Sequence, residues 1–312
     1  MLDERFRFHA FGETAEERFV ACDGLVGGAG LHLSHWEGNR TPERYKRDTS
    51  TESALAFARE APEELRERLV TNNHFDADGV LSVWALVEPE RAREHEELIV
   101  AAAVAGDFDE WPDDDRGLRL EAAVRALGRR ADGDRDAYGR VLPELGALAG
   151  DLDAREDLWG AEWQRLIDAE RAVAAGALEA TRVGRIALFH HRPGVATAGF
   201  SGTMRAPDVA ALPGPVLSRH APAGADRWLL AFEHEDGAFS YQYERPRHAW
   251  ADTVVRPRIA PPGRNRLRAA LSSRDAWAVK GGLGMTGLLR TERPIADPPE
   301  RIAEALAGAD RE

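Results

Sequence analysis

Short apolar runs that each end on a polar group, with helix-forming stretches between them, constrain most strongly what the first hundred residues of this chain can fold into. "RFVACDG" (18–24) reads as a strand running into Asp23, and "GLHLSHW" (30–36) as a strand running into Ser34, His35 and Trp36. "RLVTNNHFD" (68–76) reads as a third. Between the second and third, "DTSTESALAFARE" (48–60) reads as a helix. Thr49 and Glu52 have capping-box spacing there, and Ala54, Leu55, Phe57 and Ala58 form an apolar stripe. "GVLSVWALVE" follows as a helix starting at Gly79, and "HEELIVAAAVAGDFDEW" (95–111) as an apolar helix or strand leading into Asp107. Strands that alternate with helices pair in parallel, because only a long crossover returns the chain to the same end of a sheet.

The rest of the chain has a different texture. "PDDDRG" (112–117) breaks the alternation, and residues 118–180 read as mostly helical, without a metal or nucleotide motif. From Arg182 onward, "RIALFHH", "RWLLAFEHE" and "AFSYQYE" read as strands, with "IAPPG" and "IADPPE" as loops. A chain of 312 residues suits two domains. The expected fold is α/β: a parallel-sheet domain with a helical extension over residues 1–180, then a smaller α+β domain over 181–312 that binds substrate or caps the first.

Cys22 is the single cysteine, which excludes a disulfide framework and fits a reduced, intracellular setting. The N-terminal "MLDERFRFHAFGE" is acidic and does not read as a signal peptide, and the most apolar run, "LIVAAAVAG" (98–106), is too short to span a bilayer. A soluble, cytoplasmic protein without a membrane partner is expected. The net charge of -13 hides an asymmetry. Residues 1–180 hold 22 Lys and Arg against 40 Asp and Glu, and residues 181–312 hold 19 against 14. An acidic half can hold cations, and a mildly basic half can hold an anion.

The densest chemistry lies in "FDADGVL", where Asp76 and Asp78 precede Gly79 and His74 stands just ahead. A calcium loop of the EF-hand kind would need a bidentate glutamate at the position of Ala85, so that reading fails. The run resembles the signature of haloacid-dehalogenase-like phosphatases, in which Asp76 would attack phosphorus and Asp78 act as acid/base. That chemistry also needs a lysine before the final acidic motif, and the only lysines are Lys46 and Lys280. A plain alternative has one aspartate capping the following helix, which leaves the other polar groups idle.

A fourth reading covers more of the residues. "HFDADG" resembles the first motif of the DHH phosphoesterase superfamily. "FVACDG" is similar to that superfamily's strand ending in a lone aspartate, here Asp23. "LHLSHW" resembles its Asp-His-His motif but keeps only the middle position, His35, with Ser34 and Trp36 replacing the outer members, and "DTSTESALAFA" looks like the helix with a Ser/Thr-rich start that follows it. "VAAAVAGDFDEW" is similar to its last motif and offers Asp107. The motif order here would be two, three, one, four, a circular permutation, and the resemblance covers roughly the first 110 residues. The "SHW-x-GN" run is similar to an uncharacterised bacterial family.

The resemblance implies two Mn²⁺ or Mg²⁺ ions. His74 and Asp76 would hold one, His35, Asp78 and Asp107 the other, and Asp23 would bridge them, with Asp23, Asp76 and Asp78 central to catalysis. It implies in-line hydrolysis of a phosphoester or phosphoanhydride, with a phosphorylated small molecule, nucleotide or short nucleic acid as partner, and it allows a homodimer. A non-catalytic metal- or nucleotide-binding regulatory protein is the alternative from another class, favoured by Trp36.

Several further residues are candidates. Trp36 can line a substrate pocket or stack on a base. Arg245, Arg247, Arg256, Arg258, Arg264, Arg266 and Arg268 form a local arginine cluster opposed in sequence only by Glu244 and Asp252. Arg245, Arg247 and Lys280, the last in "VKGGLGMTG" (279–287), are taken as phosphate-binding candidates. Tyr241, Tyr243, Trp250 and Trp277 could stack a base or pack a core. His190 and His191 in "LFHHRP" and His32 read as structural, Asp109 as part of a solvated acidic loop or a support for Asp107, and Asp48 as support for the helix start or for His35.

Overall fold

The computed structural model describes residues 6–13, 19–60, 69–193, 212–279 and 286–310. Two compact units emerge: Met1–Trp163 with Trp250–Arg258, and Gln164–Ala249 with Ile259–Glu312. The division falls inside a helix, and a nine-residue segment far along the chain belongs to the first unit.

In the first unit, β1 (Arg7–Phe8), β2 (Phe19–Cys22), β3 (Leu31–Leu33) and β4 (Leu69–Thr71) form one parallel sheet in the order β1-β4-β2-β3. Around it run α1 (Ser50–Glu60), α2 (Ala77–Val87), α3 (Pro89–Glu94), α4 (Glu96–Phe108), α5 (Arg116–Gly128), α6 (Asp134–Val141), α7 (Leu145–Gly150) and the start of α8 (Glu156–Ala174). The strands are short and apolar, with Val20, Ala21, Cys22, Leu33 and Val70 buried, as expected for a parallel sheet covered on both faces. Helix α2 is the central element: every residue from Ala77 to Leu86 is buried, and it packs against α1, α4 and β4.

Register decides what this sheet can do. Val20 lies opposite both Leu31 and Val70, and Cys22 lies opposite Leu33, so β2, β3 and β4 end level. The residues that follow them therefore emerge at one edge, the carboxyl edge at which open parallel sheets bind ligands.

The second unit holds the rest of α8, then β5 (Leu178–Val183), β6 (Ile186–His191), α9 (Gly214–His220), β7 (Arg227–Glu233), β8 (Phe239–Glu244), α10 (Arg264–Ala269), β9 (Trp277–Ala278), β10 (Gly287–Thr291) and α11 (Pro299–Ala309). The sheet order is β5-β6-β7-β8-β10-β9, parallel only between β6 and β7. Helix α11 buries Ile302, Ala303 and Leu306 and packs on β5 and β6.

An α/β fold with a parallel sheet followed by a mixed domain is what the structure has. The 95–111 run, read as a helix or a strand, holds a helix over Glu96–Phe108, so Asp107 sits in a last helical turn. Two local expectations are corrected. Helix α2 begins at Ala77, two residues before Gly79, because Asp76 caps it. Residues 178–183 form a strand and not the end of a helix: Gly176, at φ +85, follows the end of α8, and a two-residue turn through Gly184 pairs β5 with β6.

Candidate metal centre

Three strand ends and two helices deliver six donor residues. Asp23 is the first residue after β2, in the left-handed region at φ 59, where aspartate is among the better-tolerated residues. Its N–H donates to Leu33 O at 2.9 Å, which ties it to the end of β3. Its Oδ1 accepts from Trp36 Nε1 and from Ser50 Oγ, each at 3.0 Å. Its buried Oδ2 lies 3.0 Å from His74 Nε2.

His35 follows β3 in a loop braced by Thr41, whose Oγ1 accepts from Ser34 N and donates to Ser34 O, both at 2.9 Å. The ring is completely buried. Nε2 faces Asp107 Oδ2 at 3.1 Å and Asp23 Oδ1 at 3.7 Å, and Nδ1 faces Asp78 Oδ2 at 3.4 Å. Despite this proximity, neither nitrogen has an aligned hydrogen-bond partner among the described residues, and the same holds for Asp23 Oδ2. Buried polar atoms are rarely left so.

Two helix N-termini meet the cluster. Asp78, in the first turn of α2, accepts from the backbone N–H groups of Ser50 at 2.8 Å and Thr51 at 2.7 Å, so its carboxylate satisfies the start of α1. The capping box expected from sequence completes that start: Thr49 N donates to Glu52 Oε2 at 2.9 Å and Glu52 N to Thr49 Oγ1 at 3.2 Å. Asp76 caps α2 through Oδ1, which accepts from Gly79 N at 2.8 Å, while its Oδ2 lies 3.0 Å from His74 Nε2. The capping alternative is therefore realised without using up the aspartates, since each carboxylate also turns toward an imidazole.

The His74 ring is oriented by its neighbour. Its Nδ1 donates to Asn73 Oδ1 at 2.8 Å, which leaves Nε2 facing Asp23 and Asp76. Asn72 holds the loop, accepting from Gly24 N at 2.9 Å and from Asn73 N at 2.7 Å and donating to Tyr138 OH at 3.0 Å. Tyr138 OH in turn donates to His74 O at 3.1 Å. Glycine is required beside this network: a Cβ on Gly24 would meet Asn73 Oδ1 at 1.9 Å, and one on Gly79 would meet Asn72 Nδ2 at 2.3 Å. That requirement is the physical content of the glycine in "FDADG".

All six sequence-derived donors thus gather at one edge. Asp23, His35, Asp78 and Asp107 offer donor atoms within 4.8 Å of one another, and so do Asp23, His74 and Asp76. The first set is buried, the second half-exposed apart from Asp23, and Asp23 belongs to both.

Electrostatics shows what such a cluster demands. Burial disfavours a charged His35 ring, but the carboxylates of Asp107, Asp78 and Asp23 outweigh it and push the imidazole up to about 10. Burial likewise opposes a charged His74, and Asp23 and Asp76 raise it to about 11. Burial would raise Asp23, yet its contacts with His74 and His35 hold it below the usual carboxylate range. Asp78 is raised to about 6 by burial, against the pull of His35. Asp107 is raised well above its ordinary value by burial and by the Asp78 charge. It also sits at a helix C-terminus, the end that disfavours a carboxylate. Protons thus hold the cluster together in the absence of another positive charge.

Carboxylate oxygens and imidazole nitrogens suit Mn²⁺ and, less selectively, Mg²⁺. The unaligned, buried nitrogens of His35 and Oδ2 of Asp23 fit a role as ligands better than a role in a hydrogen-bond network. Binding of a cation requires neutral imidazoles. At pH 7, Mn²⁺ binding is therefore expected to release at least the two protons of His35 and His74, read from the dependence of calorimetric enthalpy on the buffer's ionisation enthalpy. Affinity should rise with pH toward about 10, where His35 loses its proton. In the cation-free chain the two charged rings stabilise the fold fully below about 6.5, the ordinary histidine value. That stabilisation is lost as pH rises through about 10 and 11. The raised carboxyls of Asp78 and Asp107 act in the same direction at lower pH, so the cation-free chain should melt lower at pH 9 than at pH 6. Buffer-independent enthalpies would contradict the protonated state.

The other expected residues fall into place differently. Trp36 borders the cluster, its indole N–H engaged by Asp23. Arg245 and Arg247 belong to the second unit, and Arg245 is buried, with Nη1 donating to Ala249 O at 2.9 Å and Ile259 O at 2.7 Å. Lys280 and most of "VKGGLGMTG" lie outside the described residues. The arginine cluster is better opposed than its sequence neighbours indicate: Arg258 takes the neighbouring Asp252, and Arg256 pairs with the distant Asp48 and Glu110. His190 pairs with Glu233 at 2.8 Å, and His191 stacks on Phe232. Asp48, read as support for the helix start or for His35, accepts from the backbone N–H groups of Val254, Val255 and Arg256 and from the Arg256 guanidinium.

The Ser/Thr-rich helix start was part of the resemblance, but its Ser50 and Thr51, which supply N–H and O–H groups to Asp78 and Asp23, were not named as site residues. Trp250 was left unassigned between stacking and packing. Trp250 packs edge-on against the His35 ring at 4.8 Å and against Trp36 at 5.5 Å.

No helix among the described residues is long and apolar enough to cross a membrane. Comparison with curated proteins and with solved structures gave no match. Residues 4–305 match the sequence profile of one family, and the chain belongs to it: DUF6687, a family of unknown function.

Proposed function

We propose that the six residues form a two-cation centre that hydrolyses a phosphoester or phosphoanhydride, on a nucleotide or a short nucleic acid. The observation that carries this reading is the pair of donor sets with one shared carboxylate, Asp23. The resemblance of the four motifs to a permuted DHH phosphoesterase supports it, as does the excess of acidic residues over residues 1–180. Mn²⁺ or Mg²⁺ ions held there would supply Lewis acidity toward a phosphoryl group and its attacking water.

The chain's own residues have separable tasks in this account. Trp36 and Ser50 fix Oδ1 of Asp23, so the shared carboxylate has one orientation. Asn73 fixes the tautomer of His74 and leaves Nε2 for the site. The α1 N-terminus holds Asp78 in place from behind. Phe108 and Trp250 enclose His35 and keep water from its ring.

With Mn²⁺, the protein should cleave bis(p-nitrophenyl) phosphate and at least one member of a panel of nucleoside phosphates and short oligonucleotides, and EDTA should stop it. A second reading, binding without turnover, is favoured by Trp36, whose indole N–H is spent on Asp23 where the resembling motif has a histidine. Tight Mn²⁺ binding with no cleavage across the panel would select that reading over hydrolysis.

A further inference from the structure

We infer that the segment Trp250–Arg258 is a strap that positions His35, with Trp250 as the positioning residue; the inference rests on the cation-centre reading above. Chain neighbours on either side of this segment belong to the second unit, yet its own contacts are with the first. Arg245 closes its base by donating to the carbonyls of both flanking residues, Ala249 and Ile259.

Among the described residues, the fastenings of the strap lead to the His35 loop, to Asp48 and to the end of α4. Asp252 N donates to His35 O at 2.6 Å, and Ala251 forms a β-bridge with Trp36. Lys46 pairs with Asp252. Asp48 gathers three successive backbone N–H groups, of Val254, Val255 and Arg256, and the Arg256 guanidinium at 2.8 Å. Arg256 continues to Glu110 in a two-pronged pair and lies over the Phe108 ring at 4.7 Å. A buried carboxylate with that many donors is a rigid anchor.

The anchor holds Trp250 in place. Its ring meets the His35 imidazole edge-on at 72° and meets Trp36, which in turn packs on His74 at 5.4 Å. One aromatic pair therefore touches both imidazoles, one from each donor set. His35 has no aligned hydrogen bond to fix its ring among the described residues, and His74 has Asn73. The ring of His35 is held between three carboxylates and by packing, and the strap supplies one wall of that packing. Partners that orient a ligand imidazole commonly contribute 10–100-fold to metal affinity.

The test is Mn²⁺ binding by calorimetry to the full chain. Trp250→Ala should weaken one of two binding events by about tenfold or more, the one using His35, and leave the His74 event within about twofold. Trp250→Phe, which keeps a ring edge against His35, should restore most of the affinity. Asp48→Asn releases the strap's far end without touching the His35 packing directly, and should weaken the same event. It also provides the test if Trp250→Ala does not fold. Two Mn²⁺ events in the wild type and unchanged affinities in folded Trp250→Ala or Asp48→Asn would overturn the strap inference alone. So would equal weakening of both events, or a Trp250→Phe as weak as Trp250→Ala. A wild type that binds no Mn²⁺ would overturn the cation-centre reading, and the strap inference with it.

Discussion

Asp23→Asn is expected to cost the protein both cation sites at once. Mn²⁺ affinity should fall at each by more than the roughly 10–100-fold that losing a supporting hydrogen bond costs. Any hydrolytic turnover should fall with it by about three orders of magnitude or more. The substitution is close to isosteric, and asparagine tolerates the left-handed backbone at φ 59. The amide oxygen can still accept from Trp36 Nε1 and Ser50 Oγ. What disappears is the negative charge shared by both donor sets. Equilibrium dialysis against Mn²⁺, alongside a thermal melt, separates this from a folding defect. Retention of either site at wild-type affinity would show that the two sets do not share Asp23 as a ligand.

Asp78 and Asp107 should part company when each is replaced. Asp78→Ala leaves the N–H groups of Ser50 and Thr51 buried without their acceptor. It should destabilise the cation-free chain by about 3 kcal/mol. Asp107 supports no helix start, lies in a last helical turn, and has a carboxyl raised well above its ordinary value. Asp107→Asn is close to isosteric and removes no helix cap, so stability should change by less than about 1 kcal/mol, while Mn²⁺ binding at the buried set is lost. Urea melts of the cation-free proteins measure the first effect and calorimetry the second. A large destabilisation by Asp107→Asn would mean that this carboxylate serves the fold, and the argument for its role as a ligand would fail.

These contrasts depend on how the site is encoded, which is partly visible in the chain itself. "FVACDG", "LHLSHW" and "LVTNNH" are short apolar strands ending on polar groups, and a parallel sheet must bring such ends to one edge. The convergence of Asp23, His35 and His74 follows from that alone. The start of α1 was equally legible, because Thr49 and Glu52 form their reciprocal bonds locally.

For Asp107 the segment was legible, but whether it is helix or strand was not. "LIVAAAVAG" is apolar on every face, and periodicity cannot separate a buried strand from a buried helix. Strand β5 was hidden because "AAGALEA" favours helix locally, while its pairing with β6 is a tertiary effect. The strap was beyond reach for a plainer reason. Asp48 and Val254 lie 206 residues apart, and no local pattern links an aspartate to a backbone N–H at that distance. The arginine cluster misled for the same cause, since its acidic partners Asp48 and Glu110 come from the other half of the sequence.

Anomalous diffraction from crystals grown with Mn²⁺ addresses the central claim most directly. The account predicts two manganese peaks, one against His35, Asp78 and Asp107 and one against His74 and Asp76, with the Asp23 carboxylate touching both. A single peak, or two that do not share Asp23, would contradict it. The absence of any peak at this edge of the sheet, in protein shown to be folded at neutral pH, would leave a proton-held cluster with no part in cation chemistry.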